Sequence, residues 1–468
     1  MTKQTRRTFL ETTTGAMLSG LAMSRAWSAE DAAQSASNNG KKANILVILT
    51  DDLGYGDLSC YHAPDLDTPN VDRLAREGMR FTHAYANCPV CSPTRAALLS
   101  GRYPDLVGVP GVVRTHAENS WGYLLPGAKL LPAQLQEAGY HTALVGKWHL
   151  GLEEPNLPNQ RGFEHFHGFL GDMMDDYYNH LRHGNNYMRK NREVIEPEGH
   201  ATDLFTEWAC DYLRARKESD DDAPFFLYLS YNAPHTPIQP PEDWLQNYQE
   251  KHPEVSERRA KLASFIEHLD HGIGQVLDTL DECELTEDTL VIFTSDNGGQ
   301  SGVGANNGPL RAGKGTMYEG GIRVPLIVRY PGKTPTGSMS DRIVMSMDLL
   351  PTAMEAAGVP VATEHEGVSH WTAWQGKPQV EAERDLFFTR REGGRFEGGR
   401  IEALRRGDWK LLQPMPDQPY ELYNLRIDPH ERTEVGDAYI DIFDELKTAM
   451  EYQLARYDEV PWQPPERR

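Results

Sequence analysis

NILVILTDD, residues 44–52, places five consecutive aliphatic side chains before Thr50 and then two adjacent carboxylates. A short apolar run without alternation reads as a strand buried on both faces. Two further runs have the same character. PFFLYLSY (224–231) leads into NAPH (232–235), and TLVIFTS (289–295) leads into Asp296–Asn297. Between these runs lie helix-like stretches: VDRLAREG (71–78), LPAQLQEAG (131–139) and a long segment from about Ser256 to Leu280. Strands alternating with helices require crossover connections, so the expected architecture is α/β, a mainly parallel sheet flanked by helices. Ligands of such sheets sit at the carboxyl ends of the strands, where Asp51–Asp52, Asp296–Asn297 and NAPH stand.

The pattern changes after about residue 365. IEALRRGDWKLLQ (401–413) and YELYNL (420–425) read as strands of a small antiparallel sheet, followed by an amphipathic helix, DELKTAMEYQLARY (444–457). The expected division is a main domain over 44–365 and a smaller C-terminal α+β domain over 366–468. Residues 1–28 are set apart as an export signal and 29–43 as a linker. TRRTFLETTTGAMLSGLAMSRAWS (5–28) has paired Arg6 and Arg7, then Phe9 and Leu10, a short weakly apolar run, and small residues Ala26 and Ser28 at signal-peptidase spacing. The paired arginines resemble a twin-arginine signal, which implies a periplasmic or extracellular destination. No later segment is apolar enough for long enough to cross a bilayer.

A net charge of -22, from 47 Lys plus Arg against 69 Asp plus Glu, argues against sequence-independent nucleic-acid binding. An anionic substrate would have to be drawn in by a local positive pocket. Five cysteines are too few and too scattered for a disulfide scaffold. Cys88 and Cys91 form a C-x-x-C pair, but a zinc site wants a second close pair of ligands, and Cys210 and Cys283 stand alone.

Adjacent Asp51 and Asp52 repel one another unless a cation or shared proton intervenes. With Asp296 and Asn297 they make an oxygen-only donor set suited to a hard cation such as Ca²⁺ or Mg²⁺. The plainer reading is loop capping and turn chemistry. In CSPTRAALLSGRYP (91–104), Ser92 and Pro93 read as N-cap and first helical residue, with Gly101 closing the helix. That puts Cys91 at a helix N-terminus, which favours an anion, with Arg95 one turn on. Lys147 and His149 of GKWHLG (146–151) alternate on an extended segment and so share a face. His235 of NAPH and Lys314 of RAGKGTMYEGGIRVP (311–325) complete the basic groups. Taken singly, each of these four is also explained as a surface lysine or a hydrogen-bonded loop histidine.

Together these motifs resemble the sulfatase family. C-x-P-x-R is intact as Cys91, Pro93 and Arg95 with its AALLSGRYP extension. ILTDDLGYGDLSCY, GKWHLG, NAPH, SDNG, GKGTMYEGG, LRRGDWKLL and YELYNLRIDPHE follow in the family's order, over roughly residues 44 to 440. The resemblance implies an alkaline-phosphatase-like fold and oxidation of Cys91 to formylglycine by a maturation enzyme that reads C-x-P-x-R. A hydrated aldehyde has two hydroxyls, so one attacks sulfur and deprotonation of the other expels sulfate. By the same resemblance Asp51, Asp52, Asp296 and Asn297 hold calcium together with an oxygen of the modified Cys91. Arg95 stabilises the hydrate and His149 is its base. Lys147 and Lys314 bind the sulfate, and His235 binds it or protonates the leaving alcohol.

The implied partner is a sulfated sugar or polysaccharide. Side chains between the motifs are expected to shape the alcohol side: His116, Trp121 and GDMMDDYYNHLRHGNNY (171–187), with Asp172, Asp175, His180 and Arg182 as candidate contacts. His165, His167, His180 and His183 lack zinc-site spacing. The rival readings are a phosphonate or phosphate ester hydrolase of the same superfamily, and a catalytically silent protein that binds sulfated glycans.

Overall fold

The computed structural model describes residues 42–465 except 220, 381 and 382. The expected export signal and most of the linker lie outside the described residues.

Ten strands of the described residues form one mixed sheet. Its centre is five parallel strands in the order Thr289–Ser295, Asn44–Thr50, Phe225–Ser230, His141–Lys147, His165–Phe169. Arg323–Arg329 continues the sheet antiparallel on one side, and Met188–Lys190 does so on the other. The central strand, Asn44–Thr50, is buried throughout. Leu46 and Ile48 join one core, with helices Pro69–Glu77, Ala201–Glu218 and Glu257–Glu282. Ile45, Val47 and Leu49 join the opposite core, with helices Cys91–Ser100, Leu131–Glu137 and Leu349–Ala356. Each such aliphatic side chain contributes about 1.5–3 kcal/mol on burial, which is why a two-sided apolar run settles at the centre. Among the described residues no helix is long and apolar enough to cross a membrane.

Leu386–Arg391, Arg400–Arg406, Trp409–Leu412 and Glu421–Asn424 form a four-stranded antiparallel sheet, covered by the helix Ile440–Asp458. It has no separate core. Phe387, Ile401 and Leu411 pack in one cluster with Tyr85, Ala97 and Met345 of the larger layer. Upstream of it, Trp374 of the short helix Trp371–Trp374 is buried in the large sheet's core, so the small sheet starts only at Leu386.

The junction is also ionic. Lys410, fully buried, donates to Glu319 Oε1 at 2.9 Å and to Glu431 Oε1 at 2.8 Å, while Tyr85 donates to Glu319 Oε2 at 2.7 Å. Burial works against ionisation of Glu319, but Lys410, Arg405 and Arg323 outweigh it and hold the carboxyl down at about 2. Lys410→Ala strands two buried carboxylates and is expected to cost about 3–5 kcal/mol, read as a lowered midpoint in urea unfolding.

Asp105 shows the opposite balance. It is buried, with Arg400 no closer than 3.9 Å and neither carboxylate oxygen hydrogen-bonded. Burial raises its pKa from 3.8 to about 7. Between those values the folded form keeps a proton that the unfolded form has lost, so this group's contribution to stability falls as pH rises from about 4 to 7. Asp105→Asn is expected to leave stability at pH 4 unchanged and to raise it at pH 8 by up to roughly 4 kcal/mol, read as a pH-dependent difference in unfolding midpoint from the wild type.

Candidate active site

Strand register decides which loops meet. Thr50 pairs with Ser295, Leu49 with Ser230, and Gly146 with Ser230, all between parallel neighbours. The residues leaving these four strands therefore emerge side by side: Asp51–Asp52, Asp296–Asn297, the turn to His235, and Lys147 with His149. Gly146, at φ +102°, makes this possible, since a Cβ there would lie 2.0 Å from Ser230 O. Gly298 does the same beside Asn297, where a Cβ would lie 1.8 Å from Gly320 O.

Three carboxylates, Asp51, Asp52 and Asp296, lie buried in the floor. Three cations oppose them. Arg95 donates to Asp296 Oδ2 through Nε at 3.0 Å and through a terminal nitrogen at 2.7 Å, and also bonds Ser230 Oγ. Lys147 donates to Asp51 Oδ2, and Lys314 donates to Asp52 Oδ2 at 2.7 Å. Burial pushes Asp51 up, yet Lys147, His235, Arg95 and Lys314 more than offset it and keep this carboxylate ionised. For Asp296, burial and then the charge of Asp51 outweigh Arg95, and its pKa rises to about 7. The floor thus holds more negative charge than it readily keeps, which a further cation would relieve.

The donor atoms fit such an ion. Ligand atoms from Asp51, Asp52, Cys91 and His235 lie within 4.8 Å of one another. Asp51 Oδ1 and Asn297 Oδ1 are buried acceptors without a hydrogen-bond partner. Asn297 is aimed by its amide, which donates to Asp52 Oδ1 at 2.8 Å. Asp52 reaches the site at φ +67° and His149 at φ +60°. Non-glycine residues pay for that conformation, roughly 1–2 kcal/mol each, and such outliers gather at functional sites.

Above the floor, Cys91, His149, His235 and Lys314 line one cavity of about 370 Å³. Cys91 begins the helix Cys91–Ser100. The helix start favours an anion, but burial and then Asp51 raise the thiol's pKa well above its ordinary value, so unmodified Cys91 is a protonated, poor nucleophile. Cys88 is buried beside Val90 and Val112, and none of the five cysteines is disulfide-bonded. Ser92 does not cap the helix as its position suggested. Its hydroxyl accepts from Val113 N at 3.0 Å, and Val90 is the capping residue.

The two histidines present opposite nitrogens. His149 Nε2 donates to Val113 O at 2.9 Å, which leaves Nδ1 buried, unprotonated and unpartnered. His235 Nδ1 donates to Thr236 O at 2.8 Å, leaving Nε2 facing Asp52 Oδ2 at 3.6 Å. Burial depresses both pKa values, with Lys147 and Arg95 adding to it for His149 and Lys314 for His235.

The structure brings together all ten expected residues: Asp51, Asp52, Cys91, Arg95, Lys147, His149, His235, Asp296, Asn297 and Lys314. Arg95 and Lys147 stand behind the carboxylates, against Asp296 and Asp51, and do not line the cavity. Lys147 and His149 do both reach the site, but through the left-handed turn at His149, not along an extended segment.

Of the residues expected on the alcohol side, Asp172 lines the cavity. Arg182 is paired with Asp172 at 2.9 Å and Asp175 at 2.8 Å. His116 meets His183 at a tilted ring contact, Trp121 stacks on Trp462, and His180 is buried with Nε2 on Gly199 O. His167 stacks on Trp208. Sequence reading missed Arg114, Arg390 and Arg395, which also line the cavity. The last two come from the small sheet, and the visible signal for Arg395 was its place between glycine pairs in GGRFEGG (393–399).

With this geometry in place, residues 43–359 match the family described as Sulfatase, and residues 312–458 match N-sulphoglucosamine sulphohydrolase, C-terminal. The chain belongs to the sulfatase family. It is similar to the N-acetylgalactosamine-6-sulfatase of Canis lupus familiaris, 34% identical over 390 residues, or 78% of this chain and 71% of that one. The human enzyme of that name is 33% identical over 68% of this chain and 62% of its own length. Among solved structures, Ps i-CgsB in complex with k-i-k-neocarrahexaose is 31% identical with a TM-score of 0.82, covering 90% of this chain and 95% of that one. The protein is therefore an enzyme of sulfate-ester hydrolysis, and the cluster beneath Cys91 is a possible metal site of the sulfatase.

Adding Ca²⁺ to chelator-treated sulfatase is expected to raise its thermal midpoint, by about 2.7 kcal/mol of stability at a hundredfold excess over Kd. Asp51→Asn and Asn297→Ala are each expected to shrink that calcium-dependent shift. A shift equal in variants and wild type would place the ion elsewhere.

Proposed function

We propose that this sulfatase removes sulfate from a sulfated carbohydrate, with formylglycine made from Cys91 as nucleophile and a calcium ion held by Asp51, Asp52, Asp296 and Asn297. The observation that carries the reading is a buried, protonated Cys91 set against unpartnered carboxylate and amide oxygens. Such a thiol is no nucleophile as it stands, and such oxygens want a hard cation. Formylglycine, as its hydrate, supplies two hydroxyls on one carbon, one to attack sulfur and one whose deprotonation releases the sulfate. Calcium supplies Lewis acidity and a fixed point for oxygen donors.

The chain's own residues divide the remaining work. His149, neutral and with a free Nδ1 toward the cavity, is the base. Lys314 and His235 border the cavity and bind the sulfate oxygens, with His235 also placed to pass a proton to the leaving alcohol. Arg95 fixes Asp296 in place, Lys147 fixes Asp51 and helps keep it ionised, and together they preorganise the floor. The carbohydrate class is supported by the relatives, one named for N-acetylgalactosamine 6-sulfate chemistry and one solved with a neocarrahexaose. The paired Arg6 and Arg7 fit export of a folded, already modified protein.

Mass spectrometry of the peptide around residue 91, from a host with the maturation enzyme, is expected to find formylglycine there, in the cytoplasmic precursor as well as the exported protein. Cys91→Ala should abolish sulfate release. His149→Ala should lower kcat by about 10²–10⁴-fold with little change in KM. Unmodified cysteine in active protein would refute the mechanism, and turnover of phosphonate esters in preference to sulfated sugars would refute the substrate class.

A further inference from the structure

The cavity at Cys91 is larger than one sulfate group requires. Its volume of about 370 Å³ falls among whole small-molecule sites. Past Arg114 and Asp172 it continues into a second hollow of about 400 Å³, which His116 and Arg182 also border.

The charges of this outer half do not balance. Arg182 is spent on Asp172 and Asp175. Arg114 and Arg390 share a single carboxylate, Glu392, at 3.0 and 3.3 Å. Arg395, exposed at the cavity wall, has no carboxylate partner among the described residues. Four guanidiniums thus meet three carboxylates, and the one left over, Arg395, stands at the cavity wall in a protein whose net charge is -22.

The wall is built to keep them there. Phe396 is buried and anchors the GGRFEGG loop, with the Arg390 guanidinium 4.8 Å and the Arg395 guanidinium 5.2 Å from its ring centre. Arg390 also donates to Gly315 O at 3.0 Å, beside Lys314, and its Nε is buried without a partner. Like charges gathered over one ring repel, and an oxyanion between them removes that cost.

We infer that Arg395, with Arg114 and Arg390 behind it, binds a second oxyanion of the substrate, a sulfate or a carboxylate on the sugar that bears the scissile sulfate or on its neighbour. The planar guanidinium suits either group bidentately. The enzyme therefore selects sugars that carry two anions. This deepens the sulfated-carbohydrate reading and fails separately from it.

Equilibrium binding in the Cys91→Ala background tests it without turnover. The probes are a monosulfated galactosyl disaccharide, its disulfated counterpart, and a monosulfated disaccharide with a neighbouring uronate. The Cys91→Ala protein should bind the disulfated probe at least tenfold more tightly than the monosulfated one. Adding Arg395→Ala should reduce that preference to within about twofold, and Arg395→Lys should retain an intermediate preference. A gain for the uronate probe equal to that for the disulfated one assigns the subsite to oxyanions in general, and a gain for the disulfated probe alone assigns it to sulfate. No preference in the Cys91→Ala protein, or one that survives Arg395→Ala, overturns the inference. The function itself is judged separately, by sulfate release from the monosulfated disaccharide by the formylglycine-bearing wild type.

Discussion

Burying three carboxylates at the ends of adjacent parallel strands is the constraint around which the rest of this molecule is arranged. Each ion taken from water costs several kcal/mol even after relaxation. Asp51, Asp52 and Asp296 are tolerated only because Arg95, Lys147 and Lys314 arrive from three different parts of the chain. Arg95 comes from the helix after Met79–Tyr85, Lys147 ends a central strand, and Lys314 lies in a loop tied by Gly315 N to Pro89 O at 2.8 Å. No one of these elements can shift without leaving an uncompensated charge. The ionic floor therefore contributes little to net stability but ties the site's geometry to the correct fold.

The small C-terminal sheet serves the same end. Lys410 grips Glu319, five residues beyond Lys314, and Arg390 holds Gly315 by its carbonyl. The segment 311–325 is thus clamped between the two sheets, with Arg311 reaching Tyr423 at 2.8 Å. The small sheet, with its loop, also forms one wall of the cavity at Cys91. It fixes the loop that carries Lys314 and adds two arginines that the large sheet cannot supply.

This explains what the sequence made legible. NILVILT and TLVIFTS match their strands residue for residue, and PFFLYLSY loses only its ends, because strands buried on both faces need unbroken apolar runs. Met79–Tyr85, MRFTHAY, is only partly buried and mixes charge with apolar residues, so no period marks it. The site motifs were legible because each is contiguous, and Asp51–Asp52, Asp296–Asn297 and the NAPH turn each follow a strand end. The His149 turn was not, since a left-handed residue leaves no trace in periodicity, and Ser92 was misread because its hydroxyl is claimed by a distant backbone amide. Arg395 was marked only by its glycine-rich loop, and a single arginine there acquires meaning only once folding sets it on the wall of the cavity that Cys91 also lines.

The two histidines at the cavity show how the cations and the proton chemistry are joined. Backbone carbonyls fix one ring nitrogen of each, so each turns a lone pair inward. Burial and the neighbouring lysines, with Arg95 for His149, depress both pKa values, while Asp52 and Asp51 oppose them at His235 and Asp51 at His149. An oxyanion entering the cavity acts against the same cations that depress the histidines. Filling the site with an anion would raise their affinity for protons, and each proton taken up would in turn strengthen the hold on the anion. Binding and protonation are one linked equilibrium here, set by charges that the fold needed in any case to bury its carboxylates.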